Sequence, residues 1–127
     1  MTMLLVGATV AGALLQSLRP GLESRTPIDV VDIWGPGVRE AAGMRGRVKR
    51  QLDKRVAGKR LVEAARQLQP TSVLIIKGRG IDAASVQSVQ SLGIPVVCYY
   101  PDNPWWSRGQ EPEAFERLLA CDLAVTF

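Results

Sequence analysis

Histidine is absent from the 127 residues of this sequence. The absence excludes nucleophilic catalysis that depends on a histidine base, such as a Ser-His-Asp triad or a Cys-His pair. It also excludes every metal site built on imidazole ligands. A general base in this protein must therefore be another group, of which a carboxylate is the most suitable. We expect neither a bound metal ion nor an organic cofactor.

Cysteine is scarce as well, and only Cys98 and Cys121 occur. Both lie in apolar surroundings, and they form neither a CxxC pair nor a cluster with metal-ligand spacing. We expect two buried free thiols in a reducing compartment, which disfavours a disulfide-stabilised secreted scaffold. With 127 residues, of which 46% are hydrophobic and 22% charged, the chain is long enough to form one domain around its own core.

No apolar run reaches the roughly 18 residues that a membrane-spanning helix needs. The stretch MLLVGATVAGALLQSL resembles the apolar part of a signal peptide. However, no lysine or arginine precedes it, and the first basic residue is Arg19. We therefore favour a strand followed by a helix and a cytoplasmic location. The signal-peptide alternative would instead suit a periplasmic-type binding protein.

The net charge of +4 is distributed very unevenly. The segment 45–60 carries eight basic residues and one acid, a net +7, so that the rest of the chain carries −3. The basic residues are Arg45, Arg47, Lys49, Arg50, Lys54, Arg55, Lys59 and Arg60, and the acid is Asp53. Val48, Leu52 and Val56 recur every four residues, which indicates a helix with one stripe packed on the sheet and the charges outward.

Three interpretations of this basic helix remain open. It is a solvated helical face, or it binds an anionic membrane surface or a lipid-linked acceptor at the inner face of the membrane. Nucleic acid is the least favoured partner, because no aromatic residue is interleaved with the charges and no known binding module is present.

Apolar runs and helical patterns alternate along the chain. The runs predict five strands: MLLVG (3–7), IDVVDIW (28–34), TSVLIIK (71–77), IPVVCYY (94–100) and DLAVTF (122–127). The segments between them predict four helices. The first ends at Pro20-Gly21, and the second runs from about Val38 to Gln69 with Gly58 as a candidate break. The third begins after an N-cap at Asp82 and stops at Gly93, and the fourth begins at Pro112.

Strands that are apolar on both faces are typical of a parallel sheet covered by helices on both sides. The sequence therefore predicts an α/β fold, a doubly wound, Rossmann-like, parallel sheet of five strands. We expect the strand order 3-2-1-4-5, which makes the first and fourth strands neighbours. A flavodoxin-like order, 2-1-3-4-5, is the alternative, and it would place the loop after the third strand beside the first loop instead.

Ligands of such sheets bind outside the carboxyl ends of the strands, where the strand order reverses. The first candidate is the loop Gly7, Ala8, Thr9 in VGATVAGA. It lacks the GxGxxG fingerprint and a following Gly-Lys-Ser/Thr, so classical dinucleotide and Walker-type phosphate sites are poorly supported. Tight packing against the sheet explains its glycines equally well. Asp32, at the end of the second strand, lies at the same predicted edge.

The loop KGRG supplies the candidates Lys77, Gly78 and Arg79 at the end of the third strand. Its two glycines indicate positive φ or close approach by a partner. The alternative is a solubilising strand end followed by a turn.

The most informative stretch is YYPDNPWW. Two prolines stiffen it and present Asp102 and Asn103 in a loop, while its aromatic residues offer flat faces of the kind that stack on sugar rings. The alternative is a turn capped by aspartate and packed by two tryptophans. The candidate ligand contacts here are Tyr100, Asn103, Trp105 and Trp106, and Asp102 is the candidate catalytic residue.

At these residues the chain resembles the amino-terminal half of GT-B glycosyltransferases, and most closely the CgeB-like group. The segments that carry the resemblance are LLVG, the basic helical segment, QPTSVLIIKGRGI, LGIPVVCYYPDNPWW and CDLAVTF. The group carries a KPDLVLVIKG-type strand followed by G.PVV.W..DDP. This sequence differs in having Asn103 for the second aspartate and tyrosine for the tryptophan before the loop, which weakens the case for a paired-carboxylate mechanism.

The resemblance implies that residues 1–127 form one Rossmann-like domain, the acceptor-side half of a larger two-domain enzyme. Its partners would be a sugar acceptor and a nucleotide-sugar donor, the latter held mainly by a carboxyl-terminal half. An inverting enzyme would use Asp102 as general base, whereas a retaining enzyme would use it to hold sugar hydroxyls. We expect the chain alone to be inactive. The alternative is a non-enzymatic small-ligand binding module. A phosphorelay receiver is disfavoured because no acidic pair follows the first strand.

Overall fold

The computed structural model describes residues 1–9, 13–33, 43–104 and 111–126, and for residues 43–55 it describes the backbone alone. The described elements alternate strictly between strand and helix. The strands are β1 (Met3–Gly7), β2 (Ile28–Asp32), β3 (Ser72–Ile76), β4 (Val96–Tyr100) and β5 (Leu123–Thr126). The helices are α1 (Leu14–Glu23), α2 (Gly43–Leu68), α3 (Ala83–Gln90) and α4 (Glu113–Ala120). The predicted α/β fold class is confirmed.

The five strands form one parallel sheet in the order β2-β1-β3-β4-β5. The predicted order 3-2-1-4-5 is therefore wrong, and the flavodoxin-like alternative is correct. The physical difference is the path of the second crossover. After β2 the chain passes along α2 and returns on the far side of β1, so that β3 lies between β1 and β4.

Helices cover both faces of the sheet. On one face α2, α3 and α4 pack their apolar side chains against β1, β3 and β4 to form the larger core. On the other face α1 is the one helix, among the described residues, that packs on the sheet, with Leu15 against Leu5 and Ile76. The core described on this face is the smaller of the two. β5 lies at the edge of the sheet and all of its residues are exposed, Leu123 at 55%.

Two predicted helix limits are wrong. α1 continues through Pro20 to Glu23 instead of ending at Pro20-Gly21. Leu18 and Leu22 both pack on the smaller core, and this burial outweighs the single backbone hydrogen bond that a proline removes in the last turns.

Gly58 does not break α2, because it is a packing position. A side chain there would collide with Ser85 of α3, so the glycine lets α2 and α3 approach closely. Residues 38–42, where the prediction began this helix, lie outside the described residues.

The predicted starts of α3 and α4 are confirmed, and α3 ends at Gln90, three residues before the predicted stop at Gly93. Asp82 is the N-cap of α3, and its carboxylate accepts a hydrogen bond of 2.9 Å from the backbone N–H of Ser85. Gly93 has φ +79 after the last turn. Pro112 precedes the first residue of α4. Within the described residues, no helix combines the length and the apolar character required to cross a membrane.

Candidate functional site

The strand order fixes where the sheet can bind a ligand. From β1 the chain crosses to β2 on one side, and from β3 it continues to β4 on the other side. The loops after β1 and β3 therefore diverge at their shared edge and leave a crevice at the carboxyl ends of these strands. The prediction paired the β1 loop with the loop 100–106 after β4. That pairing is wrong because β3 lies between the two strands, and the KGRG loop occupies the neighbouring position instead.

Thr9 and Asp32 connect the first two strands at this edge. The Thr9 hydroxyl donates to Oδ2 of Asp32 over 2.5 Å. The backbone oxygen of Thr9 accepts a bond from the Gln16 amide of α1, also 2.5 Å. The first contact fixes the side chain of Thr9 against β2, and the second fixes its backbone against α1. Asp32 was predicted only as part of the edge, and its contact with Thr9 makes it a member of the site.

Gly7 and Ala8, the other candidates of this loop, serve packing. A Cβ on Gly7 would lie 2.8 Å from Cδ1 of Leu15, so glycine lets α1 approach the sheet. Ala8 packs against the larger core. Both residues set the position of Thr9. Their predicted ligand contacts remain predictions.

Lys77 directly follows β3 and has an unusual backbone conformation. Its φ is +61°, in the left-handed region, and Gly78 and Gly80 also have positive φ, at +76° and +88°. For a residue with a side chain this conformation costs about 1–2 kcal/mol, and such strain is concentrated at functional sites. The prediction of positive φ in KGRG is confirmed for both glycines. The lysine at φ +61° was not foreseen.

The ammonium of Lys77 pairs with the carboxylate of Asp102 at the end of β4. Nζ and Oδ2 are 2.9 Å apart, and the two side chains are 48% and 52% exposed. The pair exists because the corrected strand order makes β3 and β4 neighbours. In the order 3-2-1-4-5 the same residues would be three strand spacings, about 14 Å, apart. Asp102 is thus reachable from solvent, as predicted, but one strand away from the β1 loop.

A buried arginine holds the KGRG loop from beneath. Arg117 of α4 is 0% exposed. One of its terminal nitrogens donates to the backbone oxygen of Lys77 over 2.7 Å, and the other donates to the oxygen of Ile81 over 3.0 Å. A Cβ on Gly78 would collide with Ile75 and lie 3.1 Å from Nε of Arg117. The guanidinium therefore fixes both ends of the loop. Position 78 requires glycine because a side chain there would collide with Ile75 and crowd Arg117.

Glu111 balances the buried charge of Arg117. Its Oε1 lies 2.8 Å from an Arg117 nitrogen, and its Oε2 accepts a bond of 3.1 Å from the Tyr100 hydroxyl. Tyr100 is only 2% exposed, and the guanidinium lies 5.9 Å from its ring centre. Tyr100 was predicted to contact a ligand. In the structure it lies beneath the loop and leaves almost no surface for one.

The remaining predicted contacts divide into two groups. Arg79 is partly exposed in the KGRG loop, and Asn103 is exposed beside Asp102. Trp105 and Trp106 lie outside the described residues.

Sequence reasoning missed Glu111 and Arg117. The signal for Arg117 was present, because it occupies a core position between Ala114 and Leu118 in the helical repeat of α4, where a charge requires a buried partner.

The opposite edge of the sheet carries a cavity of about 480 Å³ between residues 65–70 and 92–94. It lies at the amino ends of β3 and β4, where parallel sheets rarely bind ligands. Its lining offers Arg66 as the only charged side chain. We therefore assign the candidate site to the carboxyl edge.

The described residues contain no group of three or more cysteine, aspartate or glutamate side chains that could hold a metal ion. Comparisons with protein-family profiles, with curated protein sequences and with solved structures give no match.

Proposed function

We propose that this chain is the acceptor-side domain of a GT-B glycosyltransferase and that it binds a hydroxyl-rich acceptor at the carboxyl edge of its sheet. A second domain would make most of the contacts with the nucleotide-sugar donor. The sugar would be transferred in the cleft between the two domains. The proposal combines the resemblance of residues 69–81 and 92–106 to the CgeB-like group with one observation at the site.

That observation is a row of polar side chains along four neighbouring strands. From β2 to β4 the row contains Asp32, Thr9, Lys77 and Asp102, joined as the pairs Thr9–Asp32 and Lys77–Asp102. Carboxylates accept hydrogen bonds, an ammonium donates them, and a hydroxyl does both. A sugar presents a similar row of hydroxyls that donate and accept, so this edge is chemically suited to it.

Asp102 is the proposed general base. An inverting transfer requires a group that accepts the proton of the acceptor hydroxyl while the new glycosidic bond forms. The chain has no histidine, and Asp102 is a carboxylate at the exposed edge whose direction is set by Lys77. In a retaining enzyme the same carboxylate would orient the acceptor by accepting hydrogen bonds from its hydroxyls.

A non-enzymatic small-ligand binding module is the alternative function. The ion pair favours it, since an ammonium 2.9 Å from Asp102 competes with a substrate proton for the carboxylate. The same four side chains would then bind a ligand without converting it.

The basic segment 45–60 suggests where the enzyme would act. We propose that it attracts the domain to the anionic cytoplasmic face of a membrane, where a lipid-linked acceptor would be found. In the described part of this segment Lys59 is exposed, whereas Arg60 donates a bond of 3.2 Å to the backbone oxygen of Ile33. Arg60 thus stabilises the end of β2, and the proposed membrane contact depends on the other cations.

The test measures binding and turnover separately with the 127-residue chain. Binding is followed by the backbone amide NMR signals of residues 7–9 and 77–80, during titration with a panel of mono- and oligosaccharides. Turnover is measured as consumption of nucleotide sugars in the presence of the same panel. We expect a saccharide to shift these signals and no nucleotide sugar to be consumed.

Matched variants assign the binding to the site. Lys77→Met and Asp102→Asn should abolish the shifts, whereas Lys59→Met and Glu63→Gln, which make the same chemical changes on the exposed face of α2, should leave them intact. Transfer by the chain alone would contradict the two-domain assignment. Absence of binding by every saccharide would contradict the acceptor assignment. Tight binding of a ligand that is not a saccharide would favour the non-enzymatic module.

A further inference from the structure

The contacts of Arg117 belong to a closed network that begins and ends at Lys77. The backbone oxygen of Lys77 accepts a hydrogen bond of 2.7 Å from Arg117, and the same arginine nitrogen lies 2.8 Å from Oε1 of Glu111. The other oxygen of Glu111 accepts a bond of 3.1 Å from the Tyr100 hydroxyl. Asp102 follows two residues after Tyr100, and its carboxylate lies 2.9 Å from the Lys77 ammonium. The exposed ion pair therefore closes a network whose other side chains are buried.

The pairing of β3 with β4 ends just before this ion pair. Ile76 and Tyr99 are the last partners in the register of the two strands. One further bond of 2.9 Å runs from the N–H of Lys77 to the backbone oxygen of Tyr99. Lys77 then departs from strand geometry, with φ +61°. Backbone pairing of the two strands therefore does not extend to Asp102.

A short and stiff connection joins Tyr100 to Asp102. Pro101 lies between them, with a fixed φ of its own, and it also restricts the backbone of the residue that precedes it. Few free rotations remain between the Tyr100 ring and the Asp102 carboxylate. The ring is buried, and its hydroxyl is bonded to Glu111. A tyrosine that is held at both its base and its tip limits the positions that Asp102 can adopt.

We propose that Tyr100 is a positioning residue of the acceptor site, and that its hydroxyl, acting through Glu111 and Arg117, holds Asp102 beside Lys77. This inference rests on the proposed function, in which the carboxylate and the ammonium contact the acceptor. Tyr100 itself is 2% exposed and acts from beneath them. Because the two side chains are already held in place, less conformational freedom is lost when a sugar binds.

A purely structural role for the network is the competing explanation. Arg117 is fully buried, and a buried guanidinium requires a carboxylate partner. Glu111 would then serve Arg117 alone, and the Tyr100 hydroxyl would only satisfy the second oxygen of that carboxylate. On this explanation, loss of the hydroxyl lowers stability and leaves the exposed ion pair unchanged. The state of the ion pair therefore separates the two explanations.

The test measures the reactivity of the Lys77 amine in the folded 127-residue chain. Trace acylation with acetic anhydride, followed by peptide mapping, gives the relative rate for each lysine. Lys59, which is exposed on α2, is the internal reference. An ammonium held by a carboxylate reacts more slowly than a free one. Asp102→Asn should therefore raise the rate of Lys77 relative to Lys59 by about two- to fivefold, the range expected for a half-exposed pair.

Tyr100→Phe removes the hydroxyl and keeps the ring. We expect it to raise the relative rate of Lys77 by at least half of the increase seen in Asp102→Asn. Tyr99→Phe is the matched control and should leave the rate unchanged, because this ring packs against the smaller core on the other face of the sheet. Glu111→Asp keeps the charge but shortens the side chain by one methylene, so it should raise the rate of Lys77 as well.

An unchanged Lys77 rate in folded Tyr100→Phe would overturn the inference and leave the network a purely structural role. An unchanged rate in Asp102→Asn would overturn it too, because the ion pair would then not form in solution. If Tyr100→Phe does not fold, the rate in Glu111→Asp decides in the same way. No saccharide enters these measurements, so their failure is distinct from a failure of the saccharide titration that tests the proposed function.

Discussion

Lys77, with its backbone in the left-handed region, reaches from the end of β3 to Asp102 at the end of β4, with 2.9 Å between Nζ and Oδ2. This ion pair joins two of the segments on which the proposed glycosyltransferase function rests. It also places a cation and a carboxylate next to the crevice between β1 and β3.

Asp102→Asn is expected to change the free energy of unfolding by less than about 1 kcal/mol, because a half-exposed ion pair contributes little. In the intact two-domain enzyme proposed above, the same substitution should lower turnover far more than stability. Urea denaturation and an activity assay measure the two effects, with Glu63→Gln as the control. A variant that unfolds before it loses activity would show that YYPDNPWW is a structural turn.

Gly78→Ala should destabilise the domain more than Gly93→Ala. Both glycines have positive φ, so each alanine introduces backbone strain of about 1–2 kcal/mol. Only at Gly78 does the new methyl group also meet Ile75 and Arg117, whereas the space around Gly93 is open. The collision should add about 1–3 kcal/mol. Equal urea midpoints for the two variants would mean that the loop moves away from Arg117 without a loss of stability.

Arg117→Met should lower the free energy of unfolding by about 3–5 kcal/mol, because it leaves Glu111 as a buried, unpaired charge. Arg117→Met combined with Glu111→Leu should recover part of the loss. The recovery is incomplete because the backbone oxygens of Lys77 and Ile81 lose their donors as well. Chemical denaturation measures the free energy of unfolding of wild type, of Arg117→Met and of the double variant. An effect of Arg117→Met below about 1 kcal/mol would contradict the buried pair.

Stability should fall in acid partly through Asp82. The side-chain hydrogen bond from Ser85 holds the pKa of the Asp82 carboxyl below its ordinary value. A carboxylate with a lowered pKa stabilises the fold above its unfolded pKa, and this contribution disappears as pH falls through the folded pKa. Between pH 4 and pH 2, wild type should therefore lose more stability than Asp82→Asn, whose amide still caps α3. Parallel curves for the two proteins would contradict this role.

Binding to acidic liposomes should depend on the basic helix. The chain is expected to bind vesicles that contain phosphatidylserine, and binding should fall sharply with salt, because exposed charges are screened. Replacing Lys49, Arg50, Lys54 and Arg55 with glutamate should abolish it. Vesicle sedimentation measures the bound fraction, and vesicles of phosphatidylcholine alone are the control. Equal binding to both vesicle types, or to neither, would leave the helix as a solvated face.

The sequence predicted the elements well and their arrangement less well. The apolar runs located β1 and β3 to within a residue or so, and Asp82 and Gly93 marked the limits of α3, because these signals depend on local chemistry. Strand order has no local signal. It depends on which side of β1 the chain returns after α2, and that choice is made by the packing of whole helices.

The same contrast holds for the site, where single residues were predicted and the contacts between them were not. Lys77 and Asp102 were predicted individually, since polar residues at strand ends stand out from apolar runs. Their contact was not predicted, because it exists only when β3 and β4 are neighbours. Arg117 was missed because a basic residue in a short helix is usually exposed, and only the helical repeat marks it as buried.

The bonds of Arg117 also set an order of assembly. They join α4 to carbonyl groups 36 and 40 residues earlier in the chain. During synthesis β1, β2 and β3 can pair before α4 has left the ribosome, but the bonds from Arg117 to the loop at Lys77 cannot form until α4 has been made. Contacts across such sequence separations form late, since the intervening chain must close first. The left-handed lysine is therefore one of the last features of the domain to form, and a nascent chain that stops short of α4 has four of the five strands but lacks the arginine that holds the loop at Lys77.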